Sequence, residues 1–134
     1  MNKIELNNEI YAILIDKNSV KDGAEWIGES FEPLQAQRVK CQQGKIYKPH
    51  FHILNPRIIK RTQECFIVIS GKIAVDIYDS QGNFLGTLEA VAGEAIFSYR
   101  GGHGITLLED SIFYEIKAGQ YTYVSEDKEY LKNV

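Results

Sequence analysis

The chain is short of cysteine, long apolar runs, positive charge and helical periodicity, and each shortage closes off a class of function. Its two cysteines, Cys41 and Cys65, stand 24 positions apart with no C-x-x-C pair. Neither a disulfide framework nor a thiolate zinc cluster is therefore expected. Both are read as free thiols, with Cys65 turned away from its neighbour Glu64 by strand alternation. No apolar run approaches the ~20 residues of a membrane-spanning helix. Lys and Arg number 15 against 18 Asp and Glu, for a net charge of −3 with both signs interspersed. That balance leaves no basic footprint for nucleic acid and no polybasic patch for a membrane surface. The stretch Met1-Asn2-Lys3-Ile4-Glu5 lacks the apolar core of a signal peptide, so a cytoplasmic protein is expected. No segment sustains a helical apolar stripe over three turns.

What the chain does have is short β-rich runs separated by turn residues. At 134 residues it fits a single domain, 1–134, large enough to bury a core. Its hydrophobic fraction of 44% and charged fraction of 25% are ordinary for a globular protein. Strands are expected over Ile10–Asp16, Leu34–Cys41, Ile46–Ile53, Glu64–Ile69, Lys72–Tyr78, Phe84–Val91, Ala95–Tyr99, Ile105–Leu108 and Ile112–Lys117. Ser70-Gly71 reads as the tight turn of a hairpin joining the fourth and fifth of these. Asp79–Asn83 and Ala92–Glu94 are further turns. Lys17–Gly23 is a polar connection, and the polar tail 121–134 is read as a short helix or an arm. Short strands with turns every 8 to 12 residues argue for an all-β sandwich or barrel.

The chemistry concentrates in three histidines. His50 and His52 form an H-x-H in Lys48-Pro49-His50-Phe51-His52, and His103 lies in Gly101-Gly102-His103-Gly104. On a strand, residues two apart share a face, so the pair would aim both imidazoles at one point. Glu64 supplies a carboxylate. Three imidazoles and a carboxylate suit a first-row divalent metal (Fe, Mn, Ni or Zn) and can leave positions open for water or substrate. The plainer alternative is that the histidines hydrogen-bond to the backbone or line a cavity without metal.

These residues resemble the first motif of the cupin superfamily, G-x5-H-x-H-x3-4-E-x6-G, with Gly44, His50, His52, Glu64 and Gly71 in its places. The spacings Gly44-x5-His50 and Glu64-x6-Gly71 agree. The second motif, G-x5-P-x-G-x2-H-x3-N, is matched more loosely by Gly86, Gly93 and His103. Val91 replaces its proline, and no Asn follows the histidine. The resemblance covers about residues 35–118 and implies a cupin jelly-roll barrel, with His50, His52, Glu64 and His103 as metal ligands. Between His52 and Glu64 stand eleven residues, 53–63, where three or four are usual. A longer connection costs little closure entropy. Gln63 is the neighbouring alternative to Glu64, but alternation turns only one of them inward, and the carboxylate is the better ligand.

The segment also carries Arg57, Lys60 and Arg61. They are read either as a solvated basic loop or, with Gln63, as a rim for an anionic substrate. The stretch resembles small single-domain bacterial cupins, which are often encoded among enzymes of surface-polysaccharide and nucleotide-sugar synthesis. The leading expectation is therefore a metal-dependent enzyme acting on a small polar or anionic, possibly sugar-derived, molecule. A metal-free keto-sugar isomerase or epimerase, with His50 or His52 as general base, is the second. A non-catalytic small-molecule binding module is the third. A homodimer is expected, because exposed edge strands need cover.

Overall fold

A computed structural model describes residues 2–119 and 128–132. Among them there are ten strands and no helix, so none is long and apolar enough to cross a membrane. The strands are β1 (Asn2–Leu6), β2 (Glu9–Ile15), β3 (Gly23–Ile27), β4 (Ala36–Lys40) and β5 (Glu64–Ser70). They continue as β6 (Lys72–Tyr78), β7 (Phe84–Val91), β8 (Ala95–Ser98), β9 (Gly102–Leu107) and β10 (Ile112–Lys117). All pairings are antiparallel. The all-β class expected from the turn spacing is what the chain adopts.

The strands form three sheets: five strands in the order β1-β2-β8-β5-β10, three in the order β7-β6-β9, and the hairpin β3-β4. None closes into a barrel. The large and middle sheets pack face to face through Leu14, Phe66, Val68 and Ile96 on one side and Ile73, Val75, Ile77 and Leu88 on the other. Alternation accounts for the assignment. On β5, Glu64, Phe66 and Val68 face this interior while Cys65 and Ile67 face outward. The outer face has its own core, in which Ile13, Cys65, Phe97 and Tyr99 meet Ile27 and, more peripherally, Leu34 and Ala36 of the small hairpin. Burying each such aromatic or aliphatic side chain contributes roughly 1.5–3 kcal/mol.

Three expectations need correction. Glu64–Ser70 and Lys72–Tyr78 are strands, but they do not pair with each other. The Ser70-Gly71 turn instead carries the chain from the large sheet to the middle one. Gly71 has φ +82°, and a Cβ there would run into the Asp110 carbonyl and Ser111, so the position requires glycine. Second, Ile46–Ile53 is not a strand: 43–63 holds no strand, and its apolar side chains Ile46, Phe51, Ile53, Leu54 and Ile58 stand in solvent. Period-2 apolarity makes a strand only where another edge pairs with it. Third, β1 and β3 form where no strand is expected. β1 is folded back on β2 by Asn7-Asn8, both at positive φ (53° and 63°), the geometry of a two-residue type I′ turn. Of the expected tail, 128–132 contains no helix, and 121–127 and 133–134 fall outside the described residues.

Candidate functional site

Glu64 opens β5 on the inward face, and its register fixes its neighbours. It lies opposite Lys117 of β10 on one side and Ser98 of β8 on the other. His103, near the start of β9, comes from the facing sheet. Its Nε2 stands 2.6 Å from Glu64 Oε2, so one close polar contact spans the two layers at one end of the sandwich. Lys117 Nζ meets Glu64 Oε1 at 3.0 Å. Behind the imidazole, Nδ1 and Ser98 Oγ share a hydrogen bond of 3.2 Å. Phe66 packs edge-on against the ring, with centroids 5.3 Å apart. The Glu64 side chain is buried, whereas that of His103 is 28% exposed, so the pair is open to solvent on the imidazole side.

The carboxylate is ionised despite its burial. Loss of water pushes the Glu64 pKa up, but the neighbouring His103, Glu115 and Lys117 more than offset this and hold it at about 2. Glu115 moves the other way, raised by its own burial and by the charge of Glu64 beside it. One orientation stands out. Although His103 Nε2 is only 2.6 Å away, Glu64 Oε2 has no donor aligned along a hydrogen-bond axis and is shut off from solvent. The contact is one of proximity and charge, not a directed hydrogen bond. Carboxylate oxygen and imidazole nitrogen are donor types that a divalent ion takes, but two ligands of one ion stand about 3 Å apart or more, so this pair, at 2.6 Å, would have to separate to bind one.

Of the expected ligand set, then, Glu64 and His103 come together. His50 and His52 do not join them. They lie on the exposed 43–63 segment, with ring centroids 5.1 Å apart and His50 Nδ1 against the Lys48 carbonyl at 2.8 Å. Among the described residues no group of three or more His, Cys, Asp or Glu is gathered within reach of one ion. The choice between Gln63 and Glu64 is decided by alternation. Glu64 faces the interior, while Gln63, fully buried, faces the outer side.

Gln63 belongs to a second polar cluster that the sequence did not signal, centred on Glu32. Gln63 Oε1 accepts from the Leu34 N–H (2.8 Å), while its Nε2 donates to Glu32 and to the Tyr99 carbonyl (3.2 Å). Glu32 is also paired with Arg100 and, at 3.1 Å, with Arg61. Two residues expected at a substrate rim, Arg61 and Gln63, thus anchor the 28–35 loop, and Arg57 remains on the exposed segment. No motif marks Glu32, an isolated acid between Phe31 and Pro33. The chain matches no family model, no curated protein and no solved structure.

Proposed function

We propose that the chain is a cupin-type jelly roll that binds a divalent transition metal and acts on a small polar or anionic molecule. The observation that carries this reading is the buried, ionised Glu64 oxygen with no aligned donor, 2.6 Å from His103 Nε2. Glu64 and His103 are the fixed half of the ligand set. His50 and His52 are the other half, brought in when the 43–63 segment folds onto the sandwich. Two features favour that closure. Ile46, Phe51, Ile53, Leu54 and Ile58 leave a large apolar area in water that needs cover. Among the described residues the sheets end in the edges of β9 and β10 with no further strand, and such edges can take another strand. A bound metal would act as a Lewis acid on a substrate oxygen. Ser98 fixes the His103 ring through Nδ1, leaving Nε2 for the site, and Phe66 walls one side. Arg57 and Lys60, exposed on the segment that bears His50 and His52, favour an anionic substrate.

A cobalt(II) titration read by visible absorption, with metal analysis after exposure to Fe(II), Mn, Ni and Zn, tests this reading. One ion per chain is expected, lost in His103→Ala and Glu64→Gln, with His52→Ala weakened by about tenfold or more. Failure to take up any metal of the panel sinks it. One observation favours a second reading, a metal-free isomerase. Glu64 is ionised beside His103 and could stabilise the imidazolium formed when His103, in place of His50 or His52, removes a proton. Solvent deuterium entering a nucleotide-linked keto-sugar in the absence of metal would select it.

A further inference from the structure

On the far side of the large sheet from Glu64, beneath the β3–β4 hairpin, lies a cavity of about 330 Å³. Ile15, Ile27, Leu34, Cys65, Phe97 and Ile116 are among the residues that line it. Interiors pack so closely that voids larger than a water molecule are few, and ligand pockets begin at roughly 300 Å³. Here the covering layer is only two strands wide, and two of the lining side chains, Ala36 on the hairpin and Ala95 on the large sheet, are small. The Cys65 thiol in the wall is pushed up to about 12 by burial. It therefore stays neutral, an apolar surface and not a nucleophile.

The polar groups of the lining restrict what can enter. Arg38 uses Nη1 on the Asp16 carbonyl (3.1 Å), and Nη2 on the Ser19 carbonyl (2.7 Å) and the Glu25 carboxylate (2.6 Å). Its Nε, shut off from solvent, has no acceptor. Glu94, also in the lining, spends both carboxylate oxygens on backbone N–H groups of Lys17 and Val91. The guanidinium charge is already balanced by Glu25, so a ligand carboxylate would gain little from Arg38 and would add to the Glu25 and Glu94 charges.

We propose that this cavity is a binding site for a small, uncharged, mainly apolar molecule, such as a medium-chain aliphatic ketone or alcohol. With about 30 Å³ for each water-sized unit, the space suits about ten non-hydrogen atoms. The site is independent of Glu64 and His103 and stands or falls without them.

The test uses 2-nonanone as probe and octanoate as its charged counterpart, with calorimetry and thermal unfolding on the full chain. Wild type should bind 2-nonanone saturably at one per chain with a rise in Tm. Octanoate should bind more weakly by about tenfold or more, because its charge must be desolvated. Ala95→Leu fills the cavity and should abolish the binding while the unliganded protein stays folded. Ala36→Leu makes the same test from the hairpin side if the first variant misfolds. Absence of saturable binding to wild type, or full binding by a folded filled variant, overturns the proposal. So does light scattering that shows a wild-type dimer which Ala95→Leu dissociates, since a second copy would then cover the cavity.

Discussion

Replacing Glu32 with Gln tests the charge cluster that ties the 28–35 loop to both strands leading into the site. Glu32 is almost wholly buried and so is the Arg100 side chain, at 2% and 10% exposure, whereas Arg61 is 45% exposed. Removing one partner of a buried pair typically costs 3–5 kcal/mol, and here Arg100 keeps only the more distant, exposed Glu9 at 3.6 Å. A pair half in solvent contributes about 0–1 kcal/mol. The neutral, isosteric Gln retains an oxygen for the Gln63 amide, which returns part of one hydrogen bond of about 1 kcal/mol. The expected loss is therefore about 3 kcal/mol, a large share of a typical 5–15 kcal/mol. Urea unfolding with an unchanged slope measures it as a shift in midpoint. Arg61→Gln should cost less than about 1 kcal/mol. The double variant Glu32→Gln/Arg100→Gln should recover roughly 2 kcal/mol of the summed single losses, since the two charges are coupled. If Glu32→Gln costs no more than Arg61→Gln, the cluster is solvated and the buried-pair reasoning is refuted.

Three other outcomes follow from particular side chains. Glu64 has a folded pKa depressed from 4.5 to about 2. The stability it contributes is thus complete above about pH 4.5 and is lost as pH falls towards 2. Glu64→Gln should flatten the urea midpoint across that window. Glu115 is raised, so its contribution is complete below about pH 4.5 and lost as pH rises above it; Glu115→Gln should remove that fall, and an unchanged profile in both variants would show that neither group is coupled to folding. Gly71→Ala should lose at least about 2 kcal/mol, combining the left-handed conformation with overlap on Asp110 and Ser111; a near-neutral result by thermal unfolding would show that the turn relaxes. Cys65 is buried and its thiol sits at about 12, while Cys41 is exposed. A disulfide reagent at neutral pH should therefore label Cys41 fast and Cys65 only at the rate of unfolding, and rapid labelling of both would contradict the outer core.

The middle of the chain was legible because its pattern is local. Lys72–Tyr78, Phe84–Val91 and Ile112–Lys117 have the boundaries the alternation indicates, and Glu64–Ser70 and Ala95–Ser98 differ by one residue. Each has a Gly, Asp or Asn within two residues of at least one end. Partner choice was not legible. Ser70-Gly71 has hairpin chemistry, yet the strands on either side enter different sheets, because a turn fixes a change of direction and not what lies beside it. β1 and β3 escaped notice because edge strands are largely exposed and so carry polar residues, as in Asn2-Lys3-Ile4-Glu5-Leu6. Only Asn7-Asn8 could have disclosed β1. The approach of Glu64 and His103 agrees with the motif spacing, whereas His50 and His52 lie apart from them on the exposed segment. The Glu32 cluster was not legible, since Glu32, Gln63 and Arg100 are brought together by tertiary packing alone.

β5 shows how one short strand keeps three chemistries apart. Because its side-chain period is two, Glu64 faces the interior, where His103 and Lys117 hold it charged, while Gln63 and Cys65 face the other way. Gln63 is neutral where it meets Glu32, and a carboxylate in its place would set two negative charges together in a buried position. Cys65 is neutral where it lines the apolar cavity. A shift of one residue in the pairing with β8 and β10 would present Gln63 to His103 and turn Glu64 towards Glu32, incurring both penalties at once. The register that places a carboxylate at the site is therefore the one that the outer polar cluster also requires. This is why the Glu32 cluster, although it touches neither Glu64 nor His103, belongs to the account of the site.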